Sequence, residues 1–226
     1  MPNFRFPIGR GHEQFAGEYC RVGQFFRPGP TEELALREGL RAAAVEGSQQ
    51  RGTESTAMLI NSTYDRLIGL LGASDARYRI IEHAPEGRTD IASALRSNSL
   101  AQAAKSMVVR VNMTKKKGKY LLAVIPGDKY VDLAKLSQLV GGAKAAFAAR
   151  EVAERLTASV SGSIPPFSFN LELQLIVDKS LLVHEEVFFN AARLDRSVAL
   201  HMKDYLALAC PWVEPIATEA ADRMGS

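Results

Sequence analysis

Lys105 stands where a run of small residues, LAQAA, passes into the apolar stretch KSMVVRVN. A lysine fixed at such a junction supplies a cation that can hold a phosphate or polarise a carbonyl as charge develops on its oxygen. The position also suits a strand-end lysine that lays its stem over apolar surface and keeps its ammonium in water. The loop GSIPPF, which begins at Gly162, is the second feature. Gly162 admits a close approach of backbone to ligand, while Pro165 and Pro166 fix φ and remove two N–H donors. Such a loop is either a stiff, preshaped ligand cradle or a structural turn into the next strand. Asp195, between VFFNA and SVALHM and beside Arg193 and Arg196, could order a water or hold a ligand hydroxyl. Aspartates are equally at home closing hairpin turns. Lys115, Lys116 and Lys117, with Lys119, form a basic tip that either follows a nucleic-acid backbone as counter-charge or is simply solvated.

Other chemistries lack their residues. No GxGxxG precedes a helix, and GxxxxGK[ST], HExxH and GxSxG are all missing. The four histidines, His12, His83, His184 and His201, are scattered without metal-ligand spacing, and Cys20 and Cys210 belong to no CxxC pair. Ordinary nucleotide-cofactor, zincin and serine-hydrolase chemistries therefore lose their sequence warrant, and no cofactor is expected.

These residues need elements to hold them. The apolar stripe Ala57, Ile60, Tyr64, Leu67 and Leu71 predicts a helix that Gly72 closes. YRIIEH reads as a short strand, TDIASAL and the segment after Ser99 as short helices. Lys105 to Asn112 and Lys119 to Pro126 read as a hairpin around the TKKKG tip. Helices are expected over Val131 to Gly141 and Ala149 to Thr157. Strands follow around Leu173 to Val177, Glu186 to Asn190 and Ser197 to His201, and a last helix runs from near Lys203 to before Pro211. Strands and helices are mixed without regular alternation, which gives an α+β domain over 56–218. Residues 1–55 form an N-terminal extension, irregular and then one helix from Thr31 to Glu46, and 219–226 a tail.

The chain has 226 residues and a formal charge of +3. Its distribution is more telling: residues 1–60 balance, 61–170 carry a net +7 and 171–226 a net −4. Positive charge in the middle of the chain suits a polyanion-binding surface, or a solvated basic face. No apolar run approaches the roughly 18 residues of a membrane span, and the N-terminus lacks a secretory h-region. A cytoplasmic protein with reduced thiols is expected, without membrane or DNA as a partner.

Several strings occur in a telling order: IIEH with Ala84, AQAAKSMVVRV, VIPGDKYVDLAKL, GGAKAAFAAREVAERLT, SGSIPPFSF and VFFNAARLDRSVALHMKDYLAL. Over about 64–215 the chain resembles the YbaK-like superfamily, which holds the editing insertion of prolyl-tRNA synthetase and its free-standing relatives. The strings PPFSF and LDxSV are most similar to the YeaK-like group. The resemblance implies a mixed, partly barrel-like β-sheet flanked by helices. It implies hydrolysis, without metal, of the ester that joins a small amino acid to the tRNA 3′ end, with Ser, Thr or Ala as expected substrates. It places Lys105, Gly162 and Asp195 in catalysis, and Ser163, Ile164, Pro165, Pro166, His83 and Ala192 against the substrate. Aminoacyl-tRNA is the implied partner and a synthetase a second candidate; a monomer or weak dimer is expected. One departure stands out. Ala191-Ala192 follows the late strand where relatives tend to have glycine, and a methyl at 192 would be costly if φ is positive there. A non-catalytic tRNA- or synthetase-binding module of the same fold is the alternative.

Overall fold

The computed structural model describes residues 62–114 and 117–219. The extension over 1–55, with its expected helix, and the residues Lys115 and Lys116 lie outside them, as do His12, Cys20 and most of the expected tail.

The first described helix, α1 (Thr63–Gly72), starts at Ser62, whose hydroxyl accepts the Asp65 N–H. It buries Leu67 and Leu71, two members of the stripe read from the sequence. Strand β1 (Tyr78–Glu82) and helix α2 (Thr89–Arg96) follow, then a 3-10 turn over Leu100–Gln102. The long hairpin is β2 (Ala104–Asn112) and β3 (Gly118–Pro126), in register from Ala104 opposite Pro126 to Asn112 opposite Gly118.

Two short strands, β4 (Tyr130–Val131) and β5 (Lys144–Phe147), flank α3 (Leu133–Leu139), and α4 (Arg150–Thr157) precedes the proline loop. The expected helix over 131–141 is thus shorter than its apolar pattern. Asp132 caps it by accepting the Lys135 N–H, so Val131 is free to pair with Ala217. Beyond the loop lie β6 (Leu173–Asp178), a 3-10 turn (Lys179–Val183), β7 (Glu186–Asn190) and β8 (Arg196–His201). The chain continues with α5 (Met202–Ala209), β9 (Trp212–Glu214) and β10 (Ala217–Thr218).

The main sheet runs β5-β2-β3-β6-β9. Its hairpin side is antiparallel, and β3, β6 and β9 are parallel. A three-stranded antiparallel sheet, β1-β8-β7, is joined to it by a bridge between Ala103 and Phe188. The mixed sheet expected from the sequence is therefore present. Strand alternation divides the core in two. Ala104, Val108, Leu122, Val124, Leu175 and Val177 pack with residues of the small sheet, α1, α4 and α5. Val109, Val111, Leu121, Ala123, Ile125 and Ile176 pack on the other face with Leu136 of α3. Because β3 is buried on both faces, LLAVI is continuously apolar rather than alternating. No helix among the described residues is long and apolar enough to cross a membrane.

Candidate active site

The start of β2 delivers Lys105 to the wall of a cavity of about 440 Å³. The turn after β3 fixes the lysine there. Its ammonium donates to Gly127 O at 3.2 Å and Lys129 O at 2.6 Å, and lies 5.3 Å from the centre of the Tyr130 ring. An ammonium has three donors, and two are spent on this turn. Burial pulls the Lys105 pKa below its ordinary value, opposed by the charge of Asp128. Gly127 is required by close packing: a Cβ there would sit 2.8 Å from Thr89 Cγ2 and 2.9 Å from Leu100 O. Its own N–H donates to Leu100 O at 2.9 Å, which ties the lysine's turn to the 3-10 segment on the cavity wall.

The loop after α4 supplies the facing backbone. Gly162 has φ +90°, and a Cβ on it would lie 2.8 Å from Gly87 Cα. The two glycines thus let the loop and the segment before α2 touch, and both line the cavity. Neighbouring loop N–H groups are engaged: Ser161 N donates to Glu154 Oε1 at 2.9 Å and Ser163 N to Val160 O at 2.9 Å. Among the described residues, the N–H groups of Gly162 and Ile164 have no such partner. The loop behind them is rigidly backed. Pro165 and Pro166 are buried, Pro166 O accepts the hydroxyl of wholly buried Tyr205 at 2.9 Å, and the Phe167 ring packs edge-on against Tyr205.

Of the residues singled out in the sequence, Lys105, Gly162 and Ile164 line the cavity. The other expected site residues among those described do not. Ser163 is wholly buried and turns its hydroxyl to Val160 O at 2.8 Å. His83 spans Ala84 O and Ser197 Oγ at 2.8 and 2.7 Å. Ala192 has φ +59°, and its N–H donates to Ser163 O at 2.9 Å. The alanine accepts the left-handed backbone at a cost of roughly 1–2 kcal/mol, and the loop gains an anchor. Asp195 is engaged by Arg193, through two contacts of 2.9 and 2.8 Å, and by Arg196. The Arg193 guanidinium holds its carboxyl down at about 2. Its backbone carbonyl receives the His83 N–H. Lys117 and Lys119 are exposed on the hairpin tip, away from the cavity lining.

The cavity also holds residues that sequence reasoning missed: Gly87, Thr89, Arg96, Gly127 and Asn190. Gly127 and Asn190 lay inside strings recognised by resemblance. Arg96 had no signal at all, because a cation in the last turn of a helix reads as an ordinary exposed partner for the helix dipole. Only tertiary packing buries it. Together, a half-buried ammonium and two free backbone N–H groups around one cavity can stabilise negative charge developing on an acyl oxygen.

Comparison with known proteins identifies the kind of domain. A family model for the aminoacyl-tRNA editing domain matches residues 86–208. The multifunctional Ser/Thr-tRNA deacylase ProXp-y of Escherichia coli K12 is 38% identical over 152 residues, which cover 66% of this chain and 89% of that protein. Two solved structures share the fold. One, a proposed trans-editing enzyme for prolyl tRNA synthetase, has a TM-score of 0.58 at 24% identity and covers 69% of this chain and 97% of its own. The other, the hypothetical protein APE2540, has a TM-score of 0.61 at 21% identity and covers 68% and 99%.

Proposed function

This chain belongs to the aminoacyl-tRNA editing-domain family, and we propose that it is a trans-editing deacylase, an enzyme that hydrolyses the ester between a small amino acid and the 3′ end of tRNA. Serine and threonine are the first substrates to expect, since the 38% identical relative, matched over 89% of its length, is a Ser/Thr-tRNA deacylase. A non-catalytic binding module is disfavoured by the same similarity.

The observation that carries the mechanism is the shared cavity of Lys105, Gly162 and Ile164. An aminoacyl ester is already activated, so the protein has to place the carbonyl and a water and to stabilise the tetrahedral oxyanion. In this reading the third donor of the Lys105 ammonium and the free N–H groups of Gly162 and Ile164 face that oxygen. Water adds to the carbonyl carbon, the bond to the ribose oxygen breaks, and a proton passes to that oxygen through the neighbouring ribose hydroxyl. The products are the free amino acid and uncharged tRNA. Asp195 enters by holding the β7–β8 turn, whose carbonyls at 194 and 195 receive the N–H groups of Glu86 and His83.

We place the reaction in the cytoplasm, with the exposed Lys117 and Lys119 contributing counter-charge to tRNA. The working form is a monomer or weak dimer, and a synthetase is a further candidate partner. Deacylation of Ser-, Thr-, Ala- and Cys-tRNA, each on cognate and noncognate tRNA, tests the substrate. Release of serine or threonine supports the reading, and survival of every ester refutes it.

A further inference from the structure

Arg96 is a buried cation that the reaction as described leaves unused. It ends α2, is 8% exposed, lines the cavity and, among the described residues, pairs with no carboxylate. Its Nε donates to Asn98 Oδ1 at 3.0 Å, its Nη1 to Asn190 Oδ1 and Ser197 Oγ at 3.1 Å each, and its Nη2 makes a long contact of 3.4 Å to Ser93 Oγ. Desolvation pushes its pKa down to about 10, so the guanidinium stays charged at neutral pH. A buried charge held only by neutral oxygens is costly, and it is kept here in a place where it does something specific.

That something is the orientation of Asn190. Arginine has donors and no acceptor, so the carboxamide must turn its oxygen to Arg96. The Ser197 hydroxyl donates to the same oxygen at 2.9 Å. The amide nitrogen is thereby aimed the other way, and it donates to Glu86 O at 2.8 Å and Gly162 O at 3.0 Å. Both lone-pair directions and both N–H bonds of the side chain are used. The two carbonyls it ties belong to the segments that meet at Gly87 and Gly162.

Building on the deacylase reading, we propose that Arg96 and Asn190 form a positioning clamp. Arg96 sets the carboxamide, and the carboxamide holds the Gly162 backbone against the 86–87 segment, so that the free N–H groups of Gly162 and Ile164 stay aimed at the ester. Neither residue takes part in bond making. Their contribution is to keep the loop from relaxing as the oxyanion forms.

Asn190→Asp tests this with almost no change of shape. One carboxylate oxygen keeps its place against Arg96 and Ser197 and gains an ion pair, which protects the core. The other replaces a donor with an acceptor facing two carbonyl oxygens, so the clamp opens. For the full-length variant we expect a melting temperature within a few degrees of wild type and a kcat on Ser- or Thr-tRNA lowered roughly 30-fold or more, with KM changed less than about threefold. Amide hydrogen exchange in the peptide covering 161–164 should be about tenfold faster or more. If Asn190→Asp does not fold, Arg96→Lys carries the test, because it keeps the charge and loses the fork. An unchanged kcat, or an unchanged exchange rate, in a folded variant overturns the proposal. If wild type deacylates nothing, the deacylase reading fails. Exchange in the variant then decides the clamp separately: acceleration upholds its geometry and no change refutes it.

Discussion

Gly87 and Gly162 meet backbone to backbone: a Cβ on Gly162 would lie 2.8 Å from Gly87 Cα and 3.0 Å from Gly87 O. The contact is asymmetric. A Cβ on Gly87 would meet Leu194 Cδ2 at 3.3 Å and Gly162 Cα at 3.4 Å, distances that small movements relieve. Gly162 also has φ +90°, where a side chain is strained in any case.

Gly162→Ala is therefore expected to cost about 1–3 kcal/mol in unfolding free energy and to lower kcat about a hundredfold by displacing the loop. Gly87→Ala should retain most activity. Denaturant titration and single-turnover deacylation of both variants check the contrast, and equal losses would contradict it.

Ala192 gives the opposite sign. Its φ of +59° strains an alanine, and glycine relieves the strain while giving up more conformational entropy on folding. Ala192→Gly should raise stability by about 0.5–1 kcal/mol, with the hydrogen bond from residue 192 to Ser163 O kept. A destabilised variant in thermal melts would show that the methyl packs favourably enough to outweigh the strain.

Stability in acid should depend on Glu154. The Ser161 N–H, then Arg150, hold this carboxyl at about 2, against an ordinary 4.5. A depressed folded-state pKa stabilises the fold above the ordinary value, and that contribution is lost as pH falls toward 2. Asp195, held at about 2 by Arg193, acts in the same window. Glu154→Gln should flatten the stability–pH curve between about 4.5 and 2 without abolishing the slope. A curve that overlays wild type would count against the contact with Ser161.

Lys117 and Lys119 are exposed on the hairpin tip. Replacing both with alanine should weaken tRNA binding and lower the salt slope of log K by up to about 2, with kcat unchanged at saturating tRNA. Binding titrations at several salt concentrations check this, and an unaltered slope would remove the tip from the interface.

Much of this was legible in the sequence where local pattern and tertiary need agree. The TDIASAL helix, the hairpin and the LLAVI strand all followed from periodicity and turn residues, and the structure places them at Thr89–Arg96, Ala104–Asn112 and Gly118–Pro126. Strand β5 was not legible. KAAF has a helix former's composition, and it is extended because its backbone pairs with β2 from Val109 to Asn112. The proline loop and Lys105 stood out by type, but which loop groups face the cavity did not. Ser163, Pro165 and Pro166 are buried while Gly162 and Ile164 line the cavity, a division set by the Tyr205 and Val160 contacts behind the loop. Arg96 and Asn190 meet across 94 residues, a separation that no local pattern records.

In the proposed reaction Lys105 serves the ester rather than the fold. Its ammonium is partly desolvated and, among the described residues, bonds to the carbonyls of one turn, so its loss should leave the core intact. The most direct measurement is single-turnover deacylation of Ser- and Thr-tRNA by wild type and Lys105→Ala, with the melting temperature of each. Wild type is expected to hydrolyse the ester, the variant to be slower by about 10²–10³, and the two melting temperatures to be similar. Wild-type turnover in Lys105→Ala would contradict that role for the lysine.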